Sequence, residues 1–474
     1  MAGVVAKYFS DQGYTSAPGA SVPSQYFEPR AQQPLYFAQT MVGDRIAGGV
    51  VGSTGYIELD NWDGGLDALL ADHAIDGRRV VVKVGRPEDD YDDFESVFDG
   101  VATGWSAAEK TVRIDLRDVL ADLDLPIQET TYAGTGGLEG SDDLKGKPKP
   151  LLFGVVRNLS PPLVDYGNQI YQVHDGAIGD VGAVFDRGVA ITQVPGAPAP
   201  GEYQDDESAG TVTLGDTPAG QVTADATGAG VASMPDILQD VMAQAGYVAA
   251  DFHPWDLVNF PASGNLGVWV SHNDRASTRD VANQLLASVG AFAAGGRTGL
   301  VRLGIFEAPG ATPNFTLGTA EIMEIEQELP PPGIYPPNWR RQVGHQRNWT
   351  VQRDVAAGAT DAQRAFAAEE YRVSTAEDAA VKTSHLYATD PPLVRALFAS
   401  SADADTEAAR LLALYQAERR IYRVATHYRV YDYRLGQPGR LDYPRWNLAG
   451  GTDCRVVAVD LDAARNLAVL RLFV

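Results

Sequence analysis

The sequence predicts an α+β, β-dominated, multidomain protein, with two related β-domains and α/β material inserted between them. Three observations carry this. Gly (49) and Pro (28) are abundant in a chain of 474 residues, which suits many short strands joined by turns. Alternating or β-branched runs bounded by Gly, Asn and Asp recur along the chain. A hairpin pattern near the start, VATGWSAAEKTVRIDL (101–116), is echoed at the end by VVAVDLDAARNLAVLRL (456–472). Each is a strand, a short Ala-Ala turn and a second strand.

The elements follow in chain order. Residues 1–30 read as an extended arm carrying Tyr8, Phe9, Tyr14, Tyr26 and Phe27, aromatics that dock either on a neighbour or on the arm's own domain. Residues 31–130 read as a first β-domain. Its strands are Tyr56–Asp60, Arg79–Val84, Phe94–Ala102 and Thr111–Arg117, with a helical turn at Gly65–Leu70 and a hairpin loop at Trp105–Lys110. Residues 131–150 read as a flexible linker. Residues 151–230 form a β-rich domain with strands at Ile170–Val173, Ala183–Asp186, Val189–Gln193, Thr211–Leu214 and Gln221–Ala226. Its Pro/Gly/acid stretch 194–210 is expected to be a mobile loop.

Residues 231–345 read as an α/β insert. SMPDILQDVMAQAG (233–246) and STRDVANQLLASVG (277–290) share one frame: Ser, an acid three residues on, apolar residues at helical spacing, and a closing Gly. Each predicts a capped amphipathic helix packed on a sheet, among strands at Leu266–Val270, Ala291–Ala294 and Leu300–Ile305. Residues 346–474 read as the second β-domain with helix. A strand spans Val343–Val351, helices cover Ala362–Glu370 and Asp405–Ala417, and strands follow at Tyr422–Tyr433, Arg455–Asp460 and Leu467–Phe473.

Chemistry is excluded more readily than found. The net charge of −24 makes nucleic acid a poor direct partner, since phosphate backbones are bound by basic faces. The single Cys454 rules out an internal disulfide, a Cys-ligated zinc site and the usual iron–sulfur ligation. It reads as a small buried hydrophobe. No apolar run reaches the length that spans a bilayer, and the apolar stretch at the start is short for a signal peptide, so the chain is expected to be made in a cytoplasm.

GTGGLEGSDDLKGKPKP (134–150) is glycine-rich, yet it has one residue too many between Gly140 and Gly146-Lys147 for a phosphate loop. Pro148 supplies neither the hydroxyl nor the amide that such a loop needs. The seven histidines include no i, i+4 pair. EDDYDDFE (88–95) lacks the calcium-loop frame and reads as a solvated acidic loop. NWRRQVGHQRNWTVQR (338–353) mixes Arg and Trp as single-strand binders do, and reads instead as a strand whose arginines pair with local acids. No catalytic residue, metal ligand or cofactor-binding residue is assigned, and the chain reads as an assembly component rather than an enzyme.

Several segments carry a family resemblance: YFSDQGYTSAP and YFEPR in the arm; STGYIELDNWDGGLDALL and DGRRVVVKVG; KGKPKPLLFGVVRNLSPPLVD with YQVHDGAIGDVGAVFDRGVAIT; RQVGHQRNWTVQ and AFAAEEYR; and AARLLALYQAERRIYRV, LGQPGRLDYPRW and CRVVAVDLDAARNLAVLRL. Across most of its length the chain resembles the baseplate hub or tail tip proteins of long-tailed, siphovirus-type bacteriophages and prophages.

The resemblance implies two related β-barrel domains with α/β inserts. It implies a homotrimeric ring whose six barrels mimic a sixfold tail tube. It also implies a place at the virion's tail tip, between the distal tail protein or tail tube and the central fibre or tip proteins. Tape-measure protein would pass through the ring, DNA would do so only in transit past an acidic lumen, and no stable membrane insertion is implied. The alternatives are a distal tail protein forming a sixfold ring, a host-surface glycan depolymerase, and a receptor-binding module whose loops at 88–95 and 194–210 meet the host.

Overall fold

The structure, a computed structural model, describes residues 5–42, 48–310 and 312–474. The described residues form five sheets, of which the two largest organise the rest.

The largest sheet is built from both ends of the chain. Its strands run in the order Ile322–Glu328, Ile421–Thr426, Leu467–Phe473, Thr452–Asp462, Ala31–Thr40, Ser53–Asp60, Thr111–Arg117, Glu95–Ala107 and Arg79–Val84, every neighbour antiparallel. Two short strands, Phe315–Leu317 and Pro438–Leu441, join at the beginning of Thr452–Asp462. The seam between the first and last parts of the chain is the pairing of Ala31–Thr40 with Thr452–Asp462, where Phe37 faces Leu461 and Gln39 faces Val459.

Alternation fixes which face is dry. Leu35, Phe37, Leu59, Val112, Leu461 and Leu470 enter one apolar core common to both ends of the chain. Pro34 has no amide hydrogen to give the ladder, and the register of Ala31–Thr40 against Ser53–Asp60 shifts between Gln33 and Tyr36, around it. Gly55 lies so close to the Tyr36 carbonyl that a Cβ could not fit.

The arm docks on its own chain. Phe9–Ser10, Tyr14–Thr15 and Tyr26–Pro29 form a small sheet. Phe27 meets Tyr8 edge-on at 5.2 Å and Tyr91 at 5.2 Å, and Tyr14 meets Phe94 at 5.0 Å.

The central core is helical. Met234–Ala243, Thr278–Ser288 and Ser401–Tyr415 bury Ile237, Val241, Leu285, Leu286, Ala408 and Leu411 together. The two helices sharing one frame pack in this same core, but their caps differ. At Ser277 the box closes, with Oγ accepting from the Asp280 amide at 3.1 Å and Asp280 accepting from the Ser277 amide at 3.0 Å. Ser233 instead gives its hydroxyl to the Asp236 carboxylate and leaves the backbone uncapped by its side chain.

The second large sheet orders Leu163–Asp165, Ile170–Gln172, Thr211–Leu214, Glu202–Asp206, Val189–Gln193, Ile178–Asp186, Val222–Gly228, Leu151–Leu159 and Gly267–Val270. It corrects the expectation of a loose loop at 194–210. Glu202–Asp206 is a strand between Val189–Gln193 and Thr211–Leu214, fixed by the fully buried Tyr203. Glu202 and Asp206 lie on the face opposite Tyr203, as strand alternation requires.

The connector 131–150 is folded rather than loose. Tyr132 and Leu144 are buried with Val164 in a small core. Lys149 bonds Glu139 at 2.8 Å and lies 3.8 Å from Asp175. The glycines at 134, 136, 137, 140 and 146 all take positive φ, so they serve the turns of this knot. Elsewhere the strand expected over 343–351 is Arg340–His345, and that expected over 422–433 stops at Thr426, while the helices fall at Asp361–Ala368 and Ser401–Tyr415.

Candidate assembly surface

The face of the large sheet opposite its core is polar. From the strand Ile322–Glu328 across to Thr111–Arg117, cross-strand register brings to this face the carboxylates of Glu58, Asp115, Glu324, Glu326, Glu328, Asp460 and Asp462. They outnumber the guanidiniums of Arg113, Arg117, Arg423 and Arg471. Ion pairs link Arg471 to Glu328 at 2.8 Å, Arg423 to Glu324 at 3.7 Å and Arg113 to Asp115 at 2.9 Å. Burial pushes the Asp460 carboxyl up, with Arg471 and Arg423 pulling it back. The alternation of large apolar residues inward and charges outward produces a surface that is wet and net acidic.

Among the described residues the sheet does not close on itself. Arg79–Val84 pairs only with Glu95–Ala107, and Ile322–Glu328 only with Ile421–Thr426, so each presents one row of unpaired backbone groups. The first edge carries Arg78, Arg79 and Lys83, with Val81 43% and Val84 37% exposed. The second carries Glu324, Glu326 and Glu328, with Met323 59% and Leu329 83% exposed. Arg79 is bound to Asp99 at 2.5 Å, and Glu324 and Glu328 are bound to Arg423 and Arg471. The charges left without an ion pair among the described residues are therefore Arg78 and Lys83 on the first edge and Glu326 on the second. These differ in sign, and each edge displays apolar side chains to solvent.

A cleft of about 600 Å³ opens on the polar face beside Tyr36 and Tyr56. The two rings stack at 5.1 Å, and Arg113 lies 3.7 Å above Tyr56. Its carboxylates are all committed. Asp118 accepts from the Ser53 amide and hydroxyl at 2.9 and 2.6 Å and from the Leu120 amide at 3.0 Å. Asp124 is gripped by Arg279 at 2.5 Å and Arg117 at 2.9 Å, which hold its carboxyl below the usual range. Each carboxylate of this cleft is thus engaged by a guanidinium or by amide and hydroxyl donors.

The stretches singled out in the sequence fall as follows. In EDDYDDFE, Tyr91 and Phe94 turn in to the arm while Asp92 accepts from the Ser21 amide at 3.1 Å. No group of three or more His, Cys, Asp or Glu that could hold a metal ion exists among the described residues. In 338–353, Arg340 pairs with Asp390, Arg347 pairs with Glu370 at 3.2 Å, and Arg347 also lies 3.9 Å over Trp349. Local acids and rings thus occupy these two arginines. Cys454 is buried, and burial pushes its thiol up to about 12. No helix is long and apolar enough to cross a membrane among the described residues.

An unclosed sheet with two unpaired edges suits a component that completes itself by assembly. No protein-family model and no curated protein matches the chain. Among solved structures it is similar to a tail protein from Neisseria meningitidis MC58, at 10% identity and TM-score 0.43, covering 93% of this chain and 92% of that one. It is similar to the 43 kDa tail protein of prophage MuSo2 from Shewanella oneidensis, at 10% identity and TM-score 0.41, covering 95% of each chain. It is also similar to a chain of the virion of a native gene transfer agent particle, at 13% identity and TM-score 0.46, covering 69% of this chain and 84% of that one.

Proposed function

We propose that the chain is a structural virion protein and not an enzyme: the baseplate hub at the tip of a non-contractile phage tail. Three copies form a homotrimeric ring, each contributing the two β-regions of its large sheet, so that a threefold ring presents six similar units to a sixfold tube. The ring seats on the distal tail protein or tail tube and carries the central fibre or tip proteins. Tape-measure protein and DNA pass through its channel.

The single observation that carries this reading is the pair of open, oppositely charged edges at the two ends of one continuous sheet. Such edges differ from one another, so they join head to tail, and a head-to-tail contact closes into a ring when its rotation allows. The basic edge Arg79–Val84 of one copy meets the acidic edge Ile322–Glu328 of the next. The net-acidic polar face then lines the channel, where like charge keeps DNA from sticking. The commitment of every carboxylate in the Tyr36–Tyr56 cleft speaks against a depolymerase.

The test is the mass of the purified chain by size exclusion with light scattering across a concentration series. A trimer is expected. A hexamer would replace the hub with a sixfold distal tail ring. A monomer at every concentration, with glycan-cleaving activity, would overturn the structural reading.

A further inference from the structure

Arg297 sits on the turn between strands Ala291–Gly295 and Val301–Ile305, which carries it to the wall of a polar cavity of about 400 Å³. The other walls come from both ends of the chain: Glu95, Asn314, Arg429, Tyr431, Asp432, Arg434 and Gln437. The Nη1 of Arg297 is buried with no hydrogen-bond partner. No carboxylate forms an ion pair with Arg297 or Arg434 among the described residues, whereas Arg429 is tied to Asp432. The nearby Arg302 is neutralised by Asp256. Glu95, exposed at the mouth, is the one acid left over.

We propose that this cavity is an oxyanion-binding site, which takes a carboxylate or phosphate group gripped by Arg297 from within and by Arg434 from the rim. A buried guanidinium with an unmet donor is costly, and a planar oxyanion edge is the partner that its fork matches. The Tyr431 hydroxyl and the amide of Asn314 supply further neutral donors, and the walls are too polar for an apolar guest. Burial pushes the guanidinia of Arg297 and Arg434 down from their ordinary value, with Asp432 and Glu95 drawing Arg297 back and Asp256 drawing Arg434 back. The site stands independently of the ring, because each wall belongs to one chain.

The experiment is calorimetric titration of the full chain, at constant ionic strength, with inorganic phosphate and separately with succinate. Saturable binding of at least one is expected, and tighter binding of phosphate or of succinate assigns the source of the group. Arg297→Gln should weaken binding by about tenfold or more, the loss of one charge-assisted contact. Glu95→Gln should tighten it by removing the opposing charge at the mouth. Should Arg297→Gln not fold, by circular dichroism, Arg434→Gln and Glu95→Gln carry the test by shifting affinity in opposite directions. Absence of saturable binding with either anion, or affinity unchanged in these folded variants, overturns the site.

Discussion

Gln33 Nε2 donates to Asp462 Oδ1 at 3.0 Å, a bond between residues 429 positions apart. It lies on the seam that joins the opening and closing strands into one sheet, so perturbing that seam should be felt by both ends of the chain. Phe37, 2% exposed and edge-on to Phe98 at 5.8 Å, is the largest buried side chain on that seam. Phe37→Ala is expected to cost about 3–5 kcal/mol. Urea denaturation followed by two probes, tryptophan fluorescence and far-UV circular dichroism, should show the strands at 53–117 and 421–473 lost in one shifted transition.

The open edges predict salt-sensitive assembly. Glu326 is exposed on the acidic edge and holds no ion pair among the described residues. Glu326→Lys should lower the fraction of assembled chain, and raising NaCl to about 1 M should do the same to the unaltered protein, because exposed charges are screened over a few ångströms at that strength. Mass by light scattering reads both. Thermal stability should stay within about 0.5 kcal/mol of the parent.

The pair Asp256–Arg302 predicts a large, specific loss. Asp256 is buried and receives Arg302 Nε at 2.5 Å, Arg302 Nη2 at 2.8 Å and the Leu303 amide at 3.1 Å. Asp256→Ala strands a guanidinium and should cost about 3–5 kcal/mol, while the double change Asp256→Leu with Arg302→Met should cost much less. Chemical denaturation of the two variants beside the parent reads both losses.

Acid should weaken the fold through His174. Its Nδ1 accepts from the Leu152 amide at 2.8 Å, a role only the neutral ring can play, and burial pushes its pKa down, against the pull of Asp175. His272 and His345 are lowered chiefly by burial too. The unfolded chain, with ordinary imidazoles near pH 6.5, binds more protons than the folded one in this window. Stability is therefore intact above that value. It falls by up to about 1.4 kcal/mol per pH unit for each group as pH drops below it, until the folded ring itself protonates. Urea midpoints between pH 8 and 5 measure the slope. His174→Asn, whose Oδ1 can still accept from Leu152, should flatten it.

What the sequence made legible was local. The helices at 234–243 and 278–288 announce themselves through apolar spacing and a shared Ser-x-x-Asp frame, closed as a cap only at Ser277, that lie within each segment. Strands such as Arg79–Val84 and Thr111–Arg117 do so through β-branched runs or clean alternation. The strand Ala31–Thr40 went unnamed because Pro34 and its glutamines mask the alternation of Leu35, Phe37 and Gln39. Ile322–Glu328 went unnamed because IMEIEQE is made largely of helix formers, and only pairing with Ile421–Thr426 makes it a strand. Both omissions fall on what matters most for assembly, the seam and one free edge. The sign difference between edges depends on strand order, which no local pattern encodes. The Arg297 cavity, assembled from residues 95, 297, 314 and 429–437, has no contiguous signal at all.

The seam also sets a timetable. Ala31–Thr40 leaves the ribosome among the first strands, while its partner Thr452–Asp462 is among the last to be made. Through most of translation that early strand has one side unmatched, and the long loop must close before the pairing contributes any stability. The large sheet is therefore finished only once Thr452–Asp462 has been made, and a chain truncated before it carries an exposed sticky strand instead of a paired one. Self-association is thereby biased toward copies that carry both seam strands, so synthesis of the late strand acts as the inspection step before assembly.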